Sequence, residues 1–173
     1  MAVVWSVVAL ATPRVERHCP RCDERRDFVC SDNFRINAQK RRLDVWLIHR
    51  CAVCAATWNL TALERVAPED IDPARYQRFL ANDSEEAWAW AFRGPGDRRV
   101  AWKVDVAADP DAGPGDEIVV RLVHPVEVRL DRLAGKALGV RRHDVAAHLN
   151  VAPERLRRRA RDGERLRRAP QRE

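Results

Sequence analysis

Four cysteines in two pairs carry the most specific chemistry in this chain. They are Cys19-Pro20-Arg21-Cys22 and Cys51-Ala52-Val53-Cys54, spaced C-x2-C-x28-C-x2-C. Two thiolates three positions apart fit one tight turn and grip one side of a tetrahedral ion. A second such turn closes the coordination sphere. Four sulfurs with no vacant position suit Zn²⁺ in a structural role, where the ion adds folding energy and performs no catalysis. The competing arrangements are two disulfides, which need an oxidising compartment, a redox C-x-x-C in either pair, and four free thiols. His18 and His49 lie beside the pairs. Each is either a substitute ligand or a neighbour of the ligands. Cys30, the fifth cysteine, falls in a strand and reads as a small core residue.

The elements that must position these turns are strands. Residues 43–50 read as the best strand in the chain and run straight into the second pair, and residues 57–61 leave it as another strand. Residues 28–30 and 34–37 predict two short strands separated by a Ser31-Asp32-Asn33 turn. Strands threading two cysteine turns make a zinc ribbon, a small antiparallel sheet pinned at one end by the ion. The apolar opening, residues 1–10, lacks the basic start of a signal peptide and reads as a first strand. The expectation is an α+β chain: an N-terminal zinc-ribbon β domain over 1–66, an acidic α+β middle over 67–128, and a basic helical segment over 129–173.

In the middle segment, Asp72-Pro73 opens a helix carrying Tyr76, Phe79 and Leu80, and Ser84-Glu85-Glu86 opens a second with Trp88, Trp90 and Phe92. Those aromatics read as core, with a base-stacking platform as the rival. Residues 100–106 and 118–123 are strands flanking a Pro/Gly/Asp loop at 109–116. At the end of the chain, helical spacing of Leu130, Leu133, Ala134, Ala137 and Leu138 stops at Gly139, a helix C-cap. A second helix is expected from Arg141, and a third, very basic one from Ala152. The tail from Arg165 is expected to fray.

The net charge of +6 hides a segregation. Residues 1–66 carry +4, residues 67–128 carry −6, and residues 129–173 carry +8. Arginine dominates; the lysines are Lys40, Lys103 and Lys136. This pattern permits binding to nucleic acid without demanding it. Candidate phosphate contacts are Arg132, Arg141, Arg142, Arg155, Arg157, Arg158, Arg159 and Arg161, with Arg35, Lys40, Arg41 and Arg42 of the ribbon as further ones.

The front of the chain resembles an uncharacterised bacterial family, domain-of-unknown-function family 1062. The resemblance rests on His18-Cys19-Pro20-Arg21-Cys22, Phe34-Arg35-Ile36-Asn37-Ala38, Leu43-Asp44-Val45-Trp46-Leu47-Ile48 and Cys51-Ala52-Val53-Cys54 with Thr57-Trp58-Asn59. It extends through Glu64-Arg65-Val66 and the Asp72 helix, over roughly residues 1–95 well and the remainder loosely. It implies no activity. Near the end, Arg129-Leu130-Asp131-Arg132-Leu133 followed by Leu138-Gly139-Val140-Arg141-Arg142 is similar to the start of the RNA-binding fold named after ribosomal small-subunit protein four. The chain departs from that pattern after Leu149, where the expected Gly and short strands are not evident. Residues 144–158 also resemble a helix-turn-helix, with Pro153 opening a recognition helix and Asn150 at the turn. The plain alternative is a solvated basic helix docked on the acidic middle.

Two function classes follow: a zinc-binding protein that contacts nucleic acid, RNA ahead of DNA, or a protein–protein adaptor built on the ribbon. An enzyme is not expected, because no phosphate loop, nucleophile motif or open metal site is present. No run of residues reaches membrane-spanning length. The expected setting is the cytoplasm.

Overall fold

The computed structural model describes residues 2–39, 41–107 and 116–170. Lys40, the loop over 109–115 and the last three residues of the tail lie outside the described residues. The fold is α+β; the described residues form eight strands in two four-stranded sheets and five α-helices.

The chain divides into two compact units, Thr12–Arg98 and Met1–Ala11 with Arg99–Glu173. This corrects the three-way division at 66 and 128. The reason is β1 (Ala2–Ala9), which does not join the cysteine-bearing sheet. It pairs antiparallel with β6 (Trp102–Ala107) and parallel with β7 (Glu117–Leu122). Counted by unit, the charge becomes +1 for 12–98 and +5 for the remainder. The acidic middle is therefore not a body of its own.

In the unit of residues 12–98, β2 (Val15–Cys19), β3 (Glu24–Gln39), β4 (Arg42–Cys51) and β5 (Thr57–Val66) form an antiparallel meander in sequence order. The expected turn at Ser31-Asp32-Asn33 is instead a bulge inside the single long β3. The pairing register with β4 shifts between Cys30 and Asn33, and Asp32 takes a positive φ of 56°. Ser31 Oγ donates to Ile48 O (2.8 Å) and Asn33 Nδ2 to Ser31 O (2.6 Å), so side chains satisfy the backbone that the bulge unpairs.

Helices α1 (Pro73–Leu80) and α2 (Ser84–Arg93) cover one face of this sheet. Each is capped by an aspartate: Asp72 accepts from Arg75 N and Asp83 from Glu86 N, both at 2.8 Å. Phe79 meets Phe34 edge-on at 4.9 Å. Leu47 packs on Ala87 and Ala91. The buried Glu86 accepts from Arg75 (2.7 Å) and Trp90 Nε1 (2.9 Å) and pairs with Arg78, which ties the two helices together. The guanidinium groups of Arg75 and Arg93 lie 5.2 and 5.0 Å from the centre of the Trp90 ring, and Phe92 is core.

The other unit has the sheet order β6-β1-β7-β8, with β8 at Arg165–Arg167. Val3, Trp5 and Val7 alternate inward from β1 and meet Ile118 and Val120 of β7 in the core. α3 (Leu130–Leu138) buries Leu130, Leu133 and Ala134 and ends on Gly139 with φ 69°, the left-handed cap the sequence predicts. The rest of the C-terminal expectation is corrected. α4 (Val145–His148) and α5 (Pro153–Leu156) are single turns. The basic helix stops at Leu156, and beyond it Arg159 forms a β-bridge to Arg129 and Ala160 is buried. Leu130 N donates to Arg158 O and Ala160 N to Val128 O, both in this stretch. Nor is the tail frayed at Arg165: β8 pairs with β7 and buries Leu166. Gly163, with φ 72°, and the single short strand β8 follow α5. Among the described residues, no helix is long and apolar enough to cross a membrane.

Candidate functional site

Each cysteine pair forms the turn of a β-hairpin. Cys19 ends β2 and Cys51 ends β4, and the two turns are built alike. Four residues after the leading cysteine, Asp23 and Ala55 take positive φ values of 55° and 60°. Their N–H groups donate back to Cys19 O (2.9 Å) and Cys51 O (3.0 Å). This left-handed closure curls each C-x-x-C so that both sulfurs face one side. The long β3 spans the gap between the turns and sets Phe28 opposite Cys51.

The four sulfurs lie within 4.8 Å of one another. Cys19 and Cys54 are 3.4 Å apart and Cys22 and Cys51 3.9 Å apart. Disulfide sulfurs stand about 2 Å apart, so these are not bridges. A tetrahedron with Zn–S bonds of about 2.3 Å has sulfur edges of about 3.8 Å. The donor set therefore fits a four-coordinate soft ion and leaves no position for water or substrate. Hydrogen bonding to Cys54, then burial, pushes the Cys22 thiol up to about 12. The backbone N–H of Cys54, with help from Val53, pulls Cys51 down to about 6. The knuckle amides thus favour thiolate at Cys51, the protonation state a metal ligand needs.

Phe28, Ala56 and Trp58 pack around the cluster. Arg17 lies 4.3 Å from the Trp58 ring and 5.8 Å from Phe28, and Arg21 Nη1 donates to Cys54 O (3.2 Å). Sequence spacing alone offers no signal for the Arg17 stack, which joins β2 to Trp58 of β5. Neither histidine joins the sulfurs. His18 faces Asp23 at 3.8 Å. His49 is buried against Trp58, and burial lowers its imidazole pKa. Cys30 stands outside the cluster with its thiol against Asp32 at 3.4 Å; burial pushes it up to about 12.

The predicted arginines separate into paired and unpaired groups. Arg142 donates to Asp131 (2.6 Å), Arg159 pairs with Glu127 (2.8 Å), and Arg155 pairs with Glu164. Arg132 rests on the Trp102 ring at 5.8 Å. Arg141, Arg157, Arg158 and Arg161 are exposed and have no carboxylate partner among the described residues. One open groove brings together Arg129, Arg157, Arg158, Arg159 and Arg161 with a single carboxylate, Glu127. Arg141 and Arg142, on the connection after α3, and Arg132 on α3 itself are not part of it. The helix-turn-helix expectation is not supported, because its two helices are one turn each and the arginines do not project from a recognition helix.

Residues 36–153 match the family described as protein of unknown function (DUF1062). This chain belongs to that family. The match takes in the second cysteine pair, both helices of the 12–98 unit and α3, and it begins after the first pair. No curated protein and no solved structure matches the chain.

Proposed function

We propose that this DUF1062 member is a zinc-stabilised nucleic-acid-binding protein, with RNA favoured over DNA. The observation that carries the reading is the groove in which five arginines meet one carboxylate. Two of the five already hold carboxylates, Arg129 with Asp131 and Arg159 with Glu127. Arg157, Arg158 and Arg161 are left to neutralise phosphates. RNA is favoured by the similarity of residues 129–142 to the ribosomal RNA-binding fold, together with the glycine and short strand that follow it. Zinc is favoured by the closed tetrahedral sulfur set, and its role is to hold two hairpin turns together rather than to catalyse.

The test has two arms. Metal analysis is expected to give about one zinc per chain. Cys51→Ser is expected to lose both the ion and the thermal transition of the 12–98 unit, and Cys30→Ser to keep both. Filter retention of mixed RNA and DNA pools at several salt concentrations is expected to show affinity falling as salt rises. Arg157→Ala/Arg158→Ala/Arg161→Ala is expected to flatten the slope of log affinity against log salt by about two to three. No binding by the intact protein at low salt, or an unchanged slope, would remove the C-terminal groove as the contact.

A further inference from the structure

The sheet of β2–β5 has two faces, and α1 and α2 lie on one of them, against Phe34, Leu47 and their neighbours. Side chains alternate along a strand, so the residues between these point the other way. The register sets Arg35 opposite Trp46, Trp46 opposite Thr61, and Ile48 opposite Asn59. Directly opposed residues share a face. Among the described residues of the 12–98 unit, no helix or strand packs on that second face. Arg35, Arg50, Asn59 and Thr61 are exposed there, and Trp46 and Ile48 are half-buried.

The arginines of this face make no ion pair among the described residues. Elsewhere on the same sheet Arg25 pairs with Glu16 and Arg26 with Glu24. Arg35 and Arg50 have no carboxylate partner among the described residues. Arg35 instead lies 5.9 Å from the centre of the Trp46 ring. Asp44, the acid on this part of the face, is engaged with the backbone N–H of Arg65 at 2.7 Å. A flat surface with an indole at its centre, two guanidinium groups without carboxylate partners and exposed amide and hydroxyl side chains matches an anionic chain that carries planar groups. A base stacked on the indole gains from any sequence, and arginines beside it take the backbone charge. A duplex hides its ring faces, so the match is to a single strand. An acidic peptide would satisfy the arginines and leave the indole unused.

We propose that this open sheet face binds single-stranded nucleic acid, with a base stacked on Trp46 and phosphates held by Arg35 and Arg50. The proposal rests on the nucleic-acid reading above but uses a different surface from the arginine groove, so the two can fail separately.

The experiment is fluorescence anisotropy with labelled oligo-uridine and a labelled RNA duplex, on the full chain with its metal. Trp46→Ala is expected to weaken oligo-uridine binding about tenfold at fixed salt. It should leave the salt slope unchanged, because a lost stack releases no counterions, and should leave duplex binding unchanged. Trp46→Phe is expected to keep most of the affinity. Arg35→Ala/Arg50→Ala, both exposed positions, is expected to lower the oligo-uridine salt slope by about 1.4; this variant decides the matter if Trp46→Ala loses metal. Full oligo-uridine affinity in Trp46→Ala, with affinity lost in the Arg157/Arg158/Arg161 variant, overturns the sheet face and leaves the groove standing. Equal weakening for oligo-uridine and duplex, or no recovery with Phe, also overturns it. No binding of either probe by the intact protein overturns both readings.

Discussion

Asp131, at the start of α3, holds Oδ2 between the guanidinium groups of Arg129 (2.8 Å) and Arg142 (2.6 Å). Its other oxygen is buried without a partner. Burial alone would raise this carboxyl, but the hydrogen bonds from Arg142 and Arg129 outweigh it and hold the pKa below the ordinary 3.8. A carboxylate with a depressed folded-state pKa stabilises the fold above its unfolded value and loses that contribution as pH falls through the folded one. The unit containing α3 is therefore expected to weaken once the pH drops below about 4. Asp131→Asn should cost about 1 kcal/mol near neutrality, since both arginines are half exposed and screened. It should also flatten the acid limb of stability against pH. Chemical denaturation of both proteins across that range checks it; parallel acid limbs would place the sensitivity elsewhere. At this scale the cysteines were legible in the sequence because their chemistry depends on spacing. Asp131 was not, since nothing local shows that Arg142 returns to it across the α3–α4 turn.

Among the elements, β8 shows most directly how tertiary pairing overrides local propensity. Arginines and a Gly163-Glu164 step make residues 163–168 look like a solvated tail. Yet Leu166 sits opposite Ile118 and is buried. Gly163 N donates to Val120 O (2.9 Å), and Leu122 N to Asp162 Oδ1 (2.7 Å). One leucine among arginines carries no periodicity, so only the partner strand reveals it. Leu166→Ala is expected to cost about 2–5 kcal/mol, as for a leucine removed from a core, where a frayed tail would lose under about 0.5 kcal/mol. The denaturation midpoint of this unit distinguishes the two. The same override turned the expected Ser31-Asp32-Asn33 turn into a bulge: β4 offers a continuous partner on both sides of it, so the strand resumes. Helices α1 and α2 were legible because the Asp72-Pro73 and Ser84-Glu85-Glu86 starts are local signals, although the cap of the second proves to be Asp83.

At the scale of the whole molecule, the cysteine-bearing unit is an insertion between β1 and β6. Its ends close on each other: a Cβ built on Gly96 would lie 2.9 Å from Arg14 O. The host strands close likewise, with Leu10 N donating to Ala101 O at 2.7 Å. A unit with adjacent ends and its own core is expected to fold by itself. Residues 12–98 expressed alone should bind one metal ion and melt cooperatively, with cobalt absorption as the readout. Removing residues 2–9 from the full chain should unfold the other unit, because β1 is paired on both edges. A fragment that binds no metal would show that the units depend on each other. The three-segment division drawn from charge missed this arrangement, because charge runs along the chain whereas pairing skips over it.

The interior place of β1 also has a consequence in time. The strand is synthesised before the insertion, and its partners β6 and β7 begin at Trp102 and Glu117. At ribosomal speeds of roughly 5–20 residues per second, Val3, Trp5 and Val7 wait several seconds or more without a sheet to enter. A β-branched segment with an indole and no charge is, during that interval, an adhesive edge for other nascent chains. The cysteine unit can fold meanwhile, and its closing ends then draw β1 toward the place where β6 emerges. On the zinc reading proposed above, metal supply during synthesis would govern how long that adhesive strand stays open, so zinc starvation would lower the yield of the arginine-bearing unit as well.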